Sequence, residues 1–352
     1  MIPSAPTARR SPGLSSILGL SGNIFASGAE RELATTVERG LAVVEQELMA
    51  QLAFTDDLVD AVARYLLQAG GKRVRPALTL ITAQLGEGNT DDVITAAQVI
   101  EITHLASLYH DDVMDEAELR RGVPSAQSVW GNSVAILTGD LLFSRAAKLI
   151  SQLGQRGIEL QADTFERLCL GQLHETIGPR EGEDPVAHYL GVLADKTGSL
   201  IAAAAQVGVI YSHAAEEYLR PVVDFGERIG VAFQLVDDVI DLSPRPGTGK
   251  AAGTDLRSGV STLPLLLLRA EAATDAAAAD LLERIELAAA DPAGGRLDRA
   301  VEALRKHEVT KQTLAYARQW GRDAIAALEP LPQGPVRKAL TRFAEALVRR
   351  SS

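Results

Sequence analysis

The chain has 352 residues, and its 35 lysines and arginines against 46 aspartates and glutamates give a formal net charge of −11. Nucleic-acid binding is driven by clustered cations that displace counterions from phosphates, so this acidic balance argues against nucleic acid as the main partner. Hydrophobic residues make up 46% of the chain, but aromatic residues only 4%. The single cysteine, Cys169, excludes an intrachain disulfide framework, and we expect it to be a small buried hydrophobic residue.

The first 28 residues are rich in Ser, Pro, Gly and Ala and lack a helical period, which predicts a flexible N-terminal tail. Pro12 and Gly19 interrupt the apolar run that an export signal needs. No stretch approaches about 18 consecutive apolar residues, so we expect no transmembrane segment and a cytoplasmic protein. Residues 29–352 are expected to form one helical domain.

From residue 29 onward the pattern predicts helices almost throughout, with Gly and Pro clusters between them. One segment is capped near Asp56 and stops at Gly70. A second, from Thr90 to Asp115, is apolar on most sides and is therefore expected at the centre of the protein. A third runs from Pro221 to Asp241. Since no run alternates as a strand would, the sequence predicts an all-α fold of ten or more helices.

Two of these segments end in the same acidic pattern, HDDVMDE at 110–116 and VDDVIDL at 236–242. The aspartates of the two motifs are Asp111, Asp112 and Asp115, then Asp237, Asp238 and Asp241. Carboxylates four residues apart lie one above the other on a helix and repel each other unless a cation intervenes. A set of oxygen ligands without His or Cys favours Mg²⁺, which is typically shared between carboxylates, water and substrate phosphates. One such string alone would indicate a solvated helix face, but its recurrence predicts a clamp for a metal-bound diphosphate.

A diphosphate also needs hydrogen-bond donors, and basic residues can supply them. The string GGKRVRP at 70–76 places Lys72, Arg73 and Arg75 in a flexible turn before a helix N-terminus, which favours anions. Arg120 and Arg121 follow the first acidic motif closely. Together these cations predict a local anion site in an acidic protein.

Six motifs in this order resemble the trans-isoprenyl diphosphate synthase (polyprenyl synthetase) family. They are GGKRVRP, EITHLASLYHDDVMD at 101–115 with RRG at 120–122, GDLLFSRA at 139–146, KTGSL at 196–200, FGERIGVAFQLVDDVIDL at 225–242 and GTDLRSGVSTLPLL at 253–266. The resemblance covers the chain from about residue 29 to its end. It implies a single large helical bundle of the isoprenoid synthase type around a central cavity, and a homodimer.

The resemblance also implies roles for individual residues. Isopentenyl diphosphate would be held by Lys72, Arg75, His104 and Arg121, and the allylic diphosphate by Arg120. The implied metal ligands are Asp111, Asp115 and Asp237, with supporting catalytic roles for Asp112, Asp238 and Asp241. The allylic diphosphate and the nascent cation would be lined by Lys196, which also counts as catalytic, and by Thr197, Gln234 and Lys250. Val260 stands where many relatives have a lysine, while His174 and Glu175 lack a second histidine at metal spacing and are interpreted as structural.

The implied reaction is the Mg²⁺-dependent elongation of an allylic prenyl diphosphate by isopentenyl diphosphate, with about three Mg²⁺ ions in each site. The resemblance also bears on product length, because in this family bulky aromatic residues just before the first motif close the product tunnel. Ala106 and Ser107 are both small, so the resemblance implies an all-trans product of about C30 or longer, a quinone side-chain precursor. Peripheral membrane contact during release of such a product is compatible with the sequence.

Three alternatives remain open from the sequence. A shorter-chain farnesyl or geranylgeranyl diphosphate synthase would share every motif. A class I terpene cyclase would share the fold, but it usually carries an Asn/Ser/Glu motif on the second metal helix, where this chain has Asp237, Asp238 and Asp241. A non-catalytic subunit of a heteromeric synthase would be expected to have degraded motifs, and neither motif is degraded.

Overall fold

The computed structural model describes residues 27–243, 252–289 and 295–349, and within these ranges the backbone forms sixteen α-helices and one two-stranded hairpin. The elements in chain order are α1 (Gly28–Gln51), α2 (Asp57–Gln68), α3 (Val74–Thr82), α4 (Asp91–Met114), β1 (Leu119–Arg120), β2 (Val123–Pro124), α5 (Ala126–Trp130), α6 (Asn132–Ile150), α7 (Gln155–Ile177), α8 (Pro185–Leu193), α9 (Ser199–Tyr211), α10 (Leu219–Asp241), α11 (Thr254–Arg257), α12 (Leu263–Ala272), α13 (Ala276–Ala289), α14 (Arg296–Lys306), α15 (Glu308–Ala327) and α16 (Pro335–Arg349). A single π-helical turn, Ala194–Gly198, joins α8 to α9.

Helix α1 begins slightly before the position that the sequence pattern indicates. The tail predicted for residues 1–28 lies outside the described residues up to residue 26, and Gly28 is already helical. Ser27 and Glu30 form a capping box, in which the Glu30 carboxylate accepts from the Ser27 backbone N–H at 2.7 Å. The same buried carboxylate pairs with Arg342 of α16 at 3.1 Å, so the start of α1 is held at both its cap and its side.

The helix boundaries agree with the capping and punctuation residues of the sequence. Asp56 is the N-cap of α2 and accepts from two backbone N–H groups, and Thr90 is the N-cap of α4. The described residues contain only a two-residue pair of strands, which is consistent with the absence of alternating patterns. No helix within the described ranges is long and apolar enough to cross a membrane.

The chain divides into two compact units, and the first contains the residues up to Glu166 together with Leu200–Gly226 and Ala327–Phe343. Helix α4 is the central helix of this unit and packs against α1, α3 and α6. Every α4 residue from Val93 to Ala106 is buried except Thr95 and His104, which confirms the central position predicted from its apolar circumference.

The second unit contains Arg167–Ser199, Glu227–Ala326 and the residues from Ala344 onward. One apolar cluster joins α12, α13 and α14 through residues such as Leu268, Leu281 and Leu297. Another joins α8, the end of α10, α12 and α15, and it includes Tyr189 and Leu235. The chain passes between the units five times, within α7, at the start of α9, within α10, at the end of α15 and within α16. The expectation of one helical domain over residues 29–352 stays a prediction.

The expectation that Cys169 is buried is wrong. Its thiol is exposed on α7, and Phe165 and Leu173, one turn to either side, are exposed as well. All three residues therefore lie on a face of α7 that the described residues leave uncovered, which composition alone could not reveal.

Candidate active site

The first acidic motif, in the first unit, forms the end of α4. The helix ends at Met114, and the backbone N–H of Asp115 still donates to the Asp111 carbonyl at 2.8 Å, so the spacing of the motif remains helical. Asp111 is half-buried and Asp115 is exposed. The two outer carboxylates therefore project from one helix face, one turn apart.

The middle aspartate of this motif is buried instead. Arg120 donates from Nε to Asp112 Oδ1 at 2.6 Å, while Oδ2 is buried and has no hydrogen-bond partner among the described residues. Burial raises the pKa of the Asp112 carboxyl, and the Arg120 guanidinium opposes that rise. Asp112 is thus buried and paired with Arg120, and the supporting role that the resemblance implies for it stays a prediction.

The β1–β2 hairpin brings the two arginines into place. Its turn residues, Arg121 and Gly122, both have positive φ, at 56° and 80°, as a two-residue hairpin turn requires. Arg120 lies on β1 and reaches Asp112, whereas Arg121 donates from Nη1 to the Leu66 carbonyl at 2.6 Å and also to the Gly70 carbonyl. The sequence did not predict this hairpin, because strands of two residues show no alternation, although the glycine after two arginines was its signal.

The basic turn (residues 70–76) does not present all its cations outward. Lys72 is exposed, but Arg73 has φ 49° at the N-cap of α3 and is buried. Its guanidinium pairs with Glu101 of α4 at 3.1 Å and donates to the Leu67 carbonyl at 3.0 Å. The charge pattern predicted an anion site from all three cations, whereas the family resemblance gave substrate contacts only to Lys72 and Arg75. In the structure Arg73 points inward.

In this unit Arg75 and Arg121 lie near His104, and the charge of each acts to lower its pKa. Arg75 is half-buried, and its Nε has no hydrogen-bond partner among the described residues. Burial lowers the pKa of Arg121 to about 10, so this side chain stays charged at neutral pH. Burial, reinforced by the nearby arginines, holds the pKa of His104 well below its usual range. His104 is therefore a neutral imidazole, which can still donate a hydrogen bond to a phosphate oxygen.

His110, which precedes the first aspartate, was not singled out in the sequence. Its Nε2 lies 3.0 Å from the Ile136 carbonyl and 3.3 Å from an Asp140 oxygen, both on α6. A Cβ on Gly139 would lie 2.3 Å from the His110 ring, so this glycine is required for the ring to sit against α6. The glycine and aspartate of GDLLFSRA therefore fix the end of α4 against α6.

In the second unit, Lys196 and Thr197 lie in the π-helical turn, a local irregularity that is frequent at functional sites. Both are half-buried, and Lys196 Nζ pairs with Glu175 of α7 at 2.5 Å. A Cβ on Gly171 would lie 2.7 Å from the Lys196 backbone nitrogen, so the missing side chain lets α7 approach the turn. Glu175, interpreted as structural from the sequence, is a direct partner of a predicted catalytic lysine.

An ionic network that the sequence did not indicate lies in the same unit. Arg167 of α7 pairs with Asp195 in the π-helical turn at 2.8 Å and with Glu227 of α10 at 2.5 Å. Its hydrogen bonds to both carboxylates outweigh the effect of burial and raise the pKa of Arg167. The network ties three separate elements together, and no local pattern could have linked them.

The second acidic motif, at the end of α10, repeats the burial pattern of the first. Asp237 and Asp241 are half-buried, while Asp238 is buried and accepts from the Tyr189 hydroxyl at 2.8 Å. Burial raises the pKa of Asp238 to about 8, and its Oδ1 has no hydrogen-bond partner among the described residues. Asp241 accepts from the backbone N–H of Asp255 at 3.1 Å, which places another acidic residue, Asp255, beside the end of α10.

The sequence also named Gln234, Val260 and Lys250. Gln234 is half-buried on α10, one turn before Asp238, and Val260 is exposed just before α12. Lys250 lies outside the described residues. The expected role of Lys250 therefore stays a prediction.

The outer aspartates of both motifs offer oxygen donors, and this donor set fits Mg²⁺. Within residues 27–243, 252–289 and 295–349, no group of three or more His, Cys, Asp or Glu side chains is close enough to hold a metal by itself. In each motif the middle carboxylate is buried, and the two outer carboxylates can offer their oxygen atoms to a metal. Mg²⁺ is characteristically bound by one or two carboxylates and completes its coordination with water and substrate phosphates.

The two chain-length positions differ in their surroundings. Ala106 is fully buried, and its carbonyl would lie 3.2 Å from a Cβ on Gly139 of α6. Ser107 is half-buried and donates from Oγ to the His104 carbonyl at 3.0 Å. A bulky side chain at Ala106 would therefore overpack the α4–α6 contact, whereas Ser107 is only half-buried.

Comparisons with known proteins agree with the motifs and the fold. The family model of the polyprenyl synthetases matches residues 56–303. The nonaprenyl diphosphate synthase of Mycobacterium tuberculosis is 40% identical over 331 residues, which cover 90% of this chain and 94% of that protein.

Two solved structures extend the similarity to three dimensions. The decaprenyl diphosphate synthase from Rhodobacter capsulatus superposes with a TM-score of 0.81 at 32% identity and covers 92% of this chain and 99% of its own. The geranylgeranyl pyrophosphate synthase from Corynebacterium glutamicum, complexed with calcium and isoprenyl diphosphate, has a TM-score of 0.77 at 37% identity and covers 91% and 98%. These similarities confirm the predicted all-α isoprenoid synthase fold, and the chain belongs to the polyprenyl synthetase family.

Proposed function

We propose that this protein is a Mg²⁺-dependent prenyltransferase that condenses isopentenyl diphosphate with an allylic prenyl diphosphate to make an all-trans polyprenyl diphosphate. Family membership supports prenyl transfer, and the relatives include nonaprenyl and decaprenyl diphosphate synthases. The observation that carries the proposal is the pattern that both acidic motifs share. In each, the protein buries the middle carboxylate and leaves an outer pair on one helix face.

Asp111 and Asp115 in the first unit and Asp237 in the second would be metal ligands, with Asp241 in support. When bound, Mg²⁺ would supply Lewis-acid stabilisation of the negative charge that builds up on the leaving diphosphate. Asp112 and Asp238, each held by a protein donor, would keep the two helix ends in shape for that task. We propose about three Mg²⁺ ions in each site, the number that the family resemblance implies.

The basic residues would then bind and orient the two substrates. Lys72, Arg75, Arg121 and the neutral His104 would hold the diphosphate of isopentenyl diphosphate, and Arg120 would contact the allylic diphosphate while it also holds Asp112. Lys196, Thr197, Gln234 and Lys250 would line the allylic diphosphate. Fixing both diphosphates orients the double bond of one substrate toward the reacting carbon of the other.

The chemistry needs no side-chain nucleophile. The allylic C–O bond breaks with its electron pair going to the departing diphosphate, and the isopentenyl double bond forms the new C–C bond to the allylic carbon. The carbocation that results loses a proton to the released diphosphate, which restores an allylic product one isoprenyl unit longer. The apolar residues of α4 would keep water away from the cation.

The proposal is tested by incubating the purified protein with isopentenyl diphosphate and farnesyl or geranyl diphosphate, with Mg²⁺ or with EDTA, and sizing the products. We expect elongation that requires Mg²⁺. A cyclised hydrocarbon formed from the allylic substrate alone would instead indicate a terpene cyclase. Absence of elongation by the protein alone would indicate the subunit of a heteromeric enzyme, and full elongation in EDTA would contradict the metal mechanism.

The long product rests on the two small residues before the first motif. We propose a chain of about C30 or longer, because neither Ala106 nor Ser107 carries a side chain bulky enough to close a product tunnel. A quinone side chain is the use we propose for such a product. The relatives include geranylgeranyl as well as nonaprenyl synthases, so the local residues and not family membership carry this point.

Replacing Ser107 with Phe tests the product length directly. We expect Ser107→Phe to shorten the product by several isoprenyl units at similar total turnover, because Ser107 is only half-buried and a phenyl ring there would enter the product tunnel that we propose. Product sizes by reversed-phase chromatography provide the measurement, with Ser107→Thr as the matched control. Unchanged lengths in Ser107→Phe would place the end of the tunnel elsewhere.

We also propose a cytoplasmic homodimer that touches membranes only peripherally. Support for the dimer comes from exposed apolar residues of the first unit, namely Ile136 and Leu137 on α6 and Ile158 and Phe165 on α7. Light scattering coupled to size exclusion would measure the mass, and Leu137→Glu should lower it to that of one chain. A wild-type protein that elutes as a monomer at assay concentrations would contradict the dimer.

A further inference from the structure

We propose that Arg73 and Glu101 form a buried positioning pair that sets the affinity of the basic turn for isopentenyl diphosphate, although neither residue touches the substrate. The inference rests on the proposed function, because it names what holds the substrate-binding cations in place. It also gives the central cation of GGKRVRP a role different from that of its neighbours.

The contacts of Arg73 point inward. Its side chain is 6% exposed, and its Nη1 donates to Glu101 Oε1 at 3.1 Å and to the Gly70 carbonyl at 3.4 Å. Nη2 donates to the Leu67 carbonyl at 3.0 Å, and Nε to Glu45 at 3.3 Å. With donors from all three of its nitrogens engaged, the guanidinium connects the end of α2, the turn and α4, and it is not oriented to bind a phosphate.

A second guanidinium converges on the same turn. Arg121 also donates to the Gly70 carbonyl, so one carbonyl oxygen receives both arginines. A Cβ on Gly71 would lie 2.7 Å from Arg73 Nη1 and 3.1 Å from Arg121 Nη1. The glycine therefore gives both guanidinium groups room to pack beneath the turn, and Arg73 helps to fix the position of Arg121.

The charge of Glu101 is shared among these cations. Its side chain is 3% exposed, and it acts to raise the pKa of both Arg75 and Arg121 against the lowering effect of their burial. If Arg73 were removed, the buried carboxylate would lose its direct partner. It would then compete with the substrate diphosphate for Arg75 and Arg121, because an unpaired buried charge seeks the nearest opposite charge.

Arg73→Met is the variant that tests the pair, with KM measured separately for isopentenyl diphosphate and for farnesyl diphosphate. We expect the KM for isopentenyl diphosphate to rise at least ~10-fold while the KM for farnesyl diphosphate changes less than ~2-fold. Calorimetric binding of isopentenyl diphosphate alone should weaken in parallel. General destabilisation would instead lower the active fraction and leave both KM values unchanged.

A double variant separates the two parts of the argument. Arg73→Met with Glu101→Gln removes the unpaired carboxylate, and we expect it to recover at least ~3-fold of the lost affinity for isopentenyl diphosphate. Glu45→Gln is the matched control, because Glu45 also pairs with Arg73 but is 45% exposed, and its KM values should stay within ~2-fold of wild type.

The outcomes that overturn the pair are specific. A KM for isopentenyl diphosphate within ~2-fold of wild type in Arg73→Met, or a double variant no better than the single one, contradicts it. If Arg73→Met does not fold, Arg73→Lys decides, since a lysine cannot span the three sites; we expect a rise of at least ~3-fold, and a wild-type KM overturns the pair. A wild-type protein that does not elongate overturns the proposed function instead, whatever the variants do.

Discussion

The two acidic motifs have the same string of aspartates but different environments. In the first unit, the middle carboxylate of Asp112 is compensated by a cation, the Arg120 guanidinium at 2.6 Å. In the second unit, the middle carboxylate of Asp238 meets a neutral donor, the Tyr189 hydroxyl at 2.8 Å. Burial raises the pKa of Asp238 to about 8, so this carboxyl is largely protonated at neutral pH in the absence of metal. The comparison shows that the helix sets which carboxylates point outward, while the surroundings set the charge of the inward one.

If the outer aspartates of the two motifs have equivalent roles, replacing either one should lower enzymatic activity by a similar factor. Asp111→Asn and Asp237→Asn are each expected to lower kcat/KM at least ~10²-fold, because each removes a carboxylate that holds the charge-stabilising metal. Steady-state elongation assays would measure this effect, with Glu283→Gln, an exposed acid on α13, as the control at wild-type activity. Wild-type turnover in either variant would contradict the metal clamp.

At the inner positions the comparison predicts a difference in stability. Arg120→Met should lower the free energy of unfolding of the metal-free protein by about 2–3 kcal/mol, because it leaves the buried Asp112 carboxylate without a counter-charge. Urea unfolding followed by circular dichroism would measure this loss. Lys311→Met, which removes an exposed ion pair with Glu308, should leave the midpoint unchanged. If Arg120→Met lowered the free energy of unfolding as little as Lys311→Met does, solvent or a rearranged side chain would be replacing Arg120 as the partner of Asp112.

The smallest expected effect is at the neutral donor. Tyr189→Phe should lower the free energy of unfolding by about 1 kcal/mol, because it removes one hydrogen bond from a carboxyl that is largely uncharged. The same urea experiment at neutral pH gives the comparison. A loss for Tyr189→Phe as large as that for Arg120→Met would mean that Asp238 is ionised in the folded protein and that the two motifs are electrostatically alike.

Much of the fold could be predicted from local signals. The caps at Asp56 and Thr90 and the continuous apolar surface of α4 located the helices, because these signals act within one or two turns. For the same reason, the spacing of the acidic motifs predicted that the outer carboxylates of each lie one helical turn apart. The exposure of Cys169 was missed, since burial depends on which helix faces find a neighbour.

The contacts at the site that connect distant residues could not be predicted in this way. Arg73 meets Glu101 across 28 positions, and His110 meets α6 across 26. Their partners follow from how the helices pack. Even the two glycines involved, Gly71 and Gly139, acquire a reason only when the arginine or histidine against them is known.

The sequence by itself determined the helical class, the family, the ends of the main helices and the two sets of outer carboxylates. All of these depend on residue types at fixed short spacings, which the helix geometry translates directly into faces and ends. Only the tertiary structure decided which cation turns inward, which aspartate is paired with a charge and which with a hydroxyl, and which of the two small residues before the first motif is fully buried. Those outcomes depend on burial and on partners far away in the chain, because the charge and hydrogen bonding of a side chain are set by its surroundings.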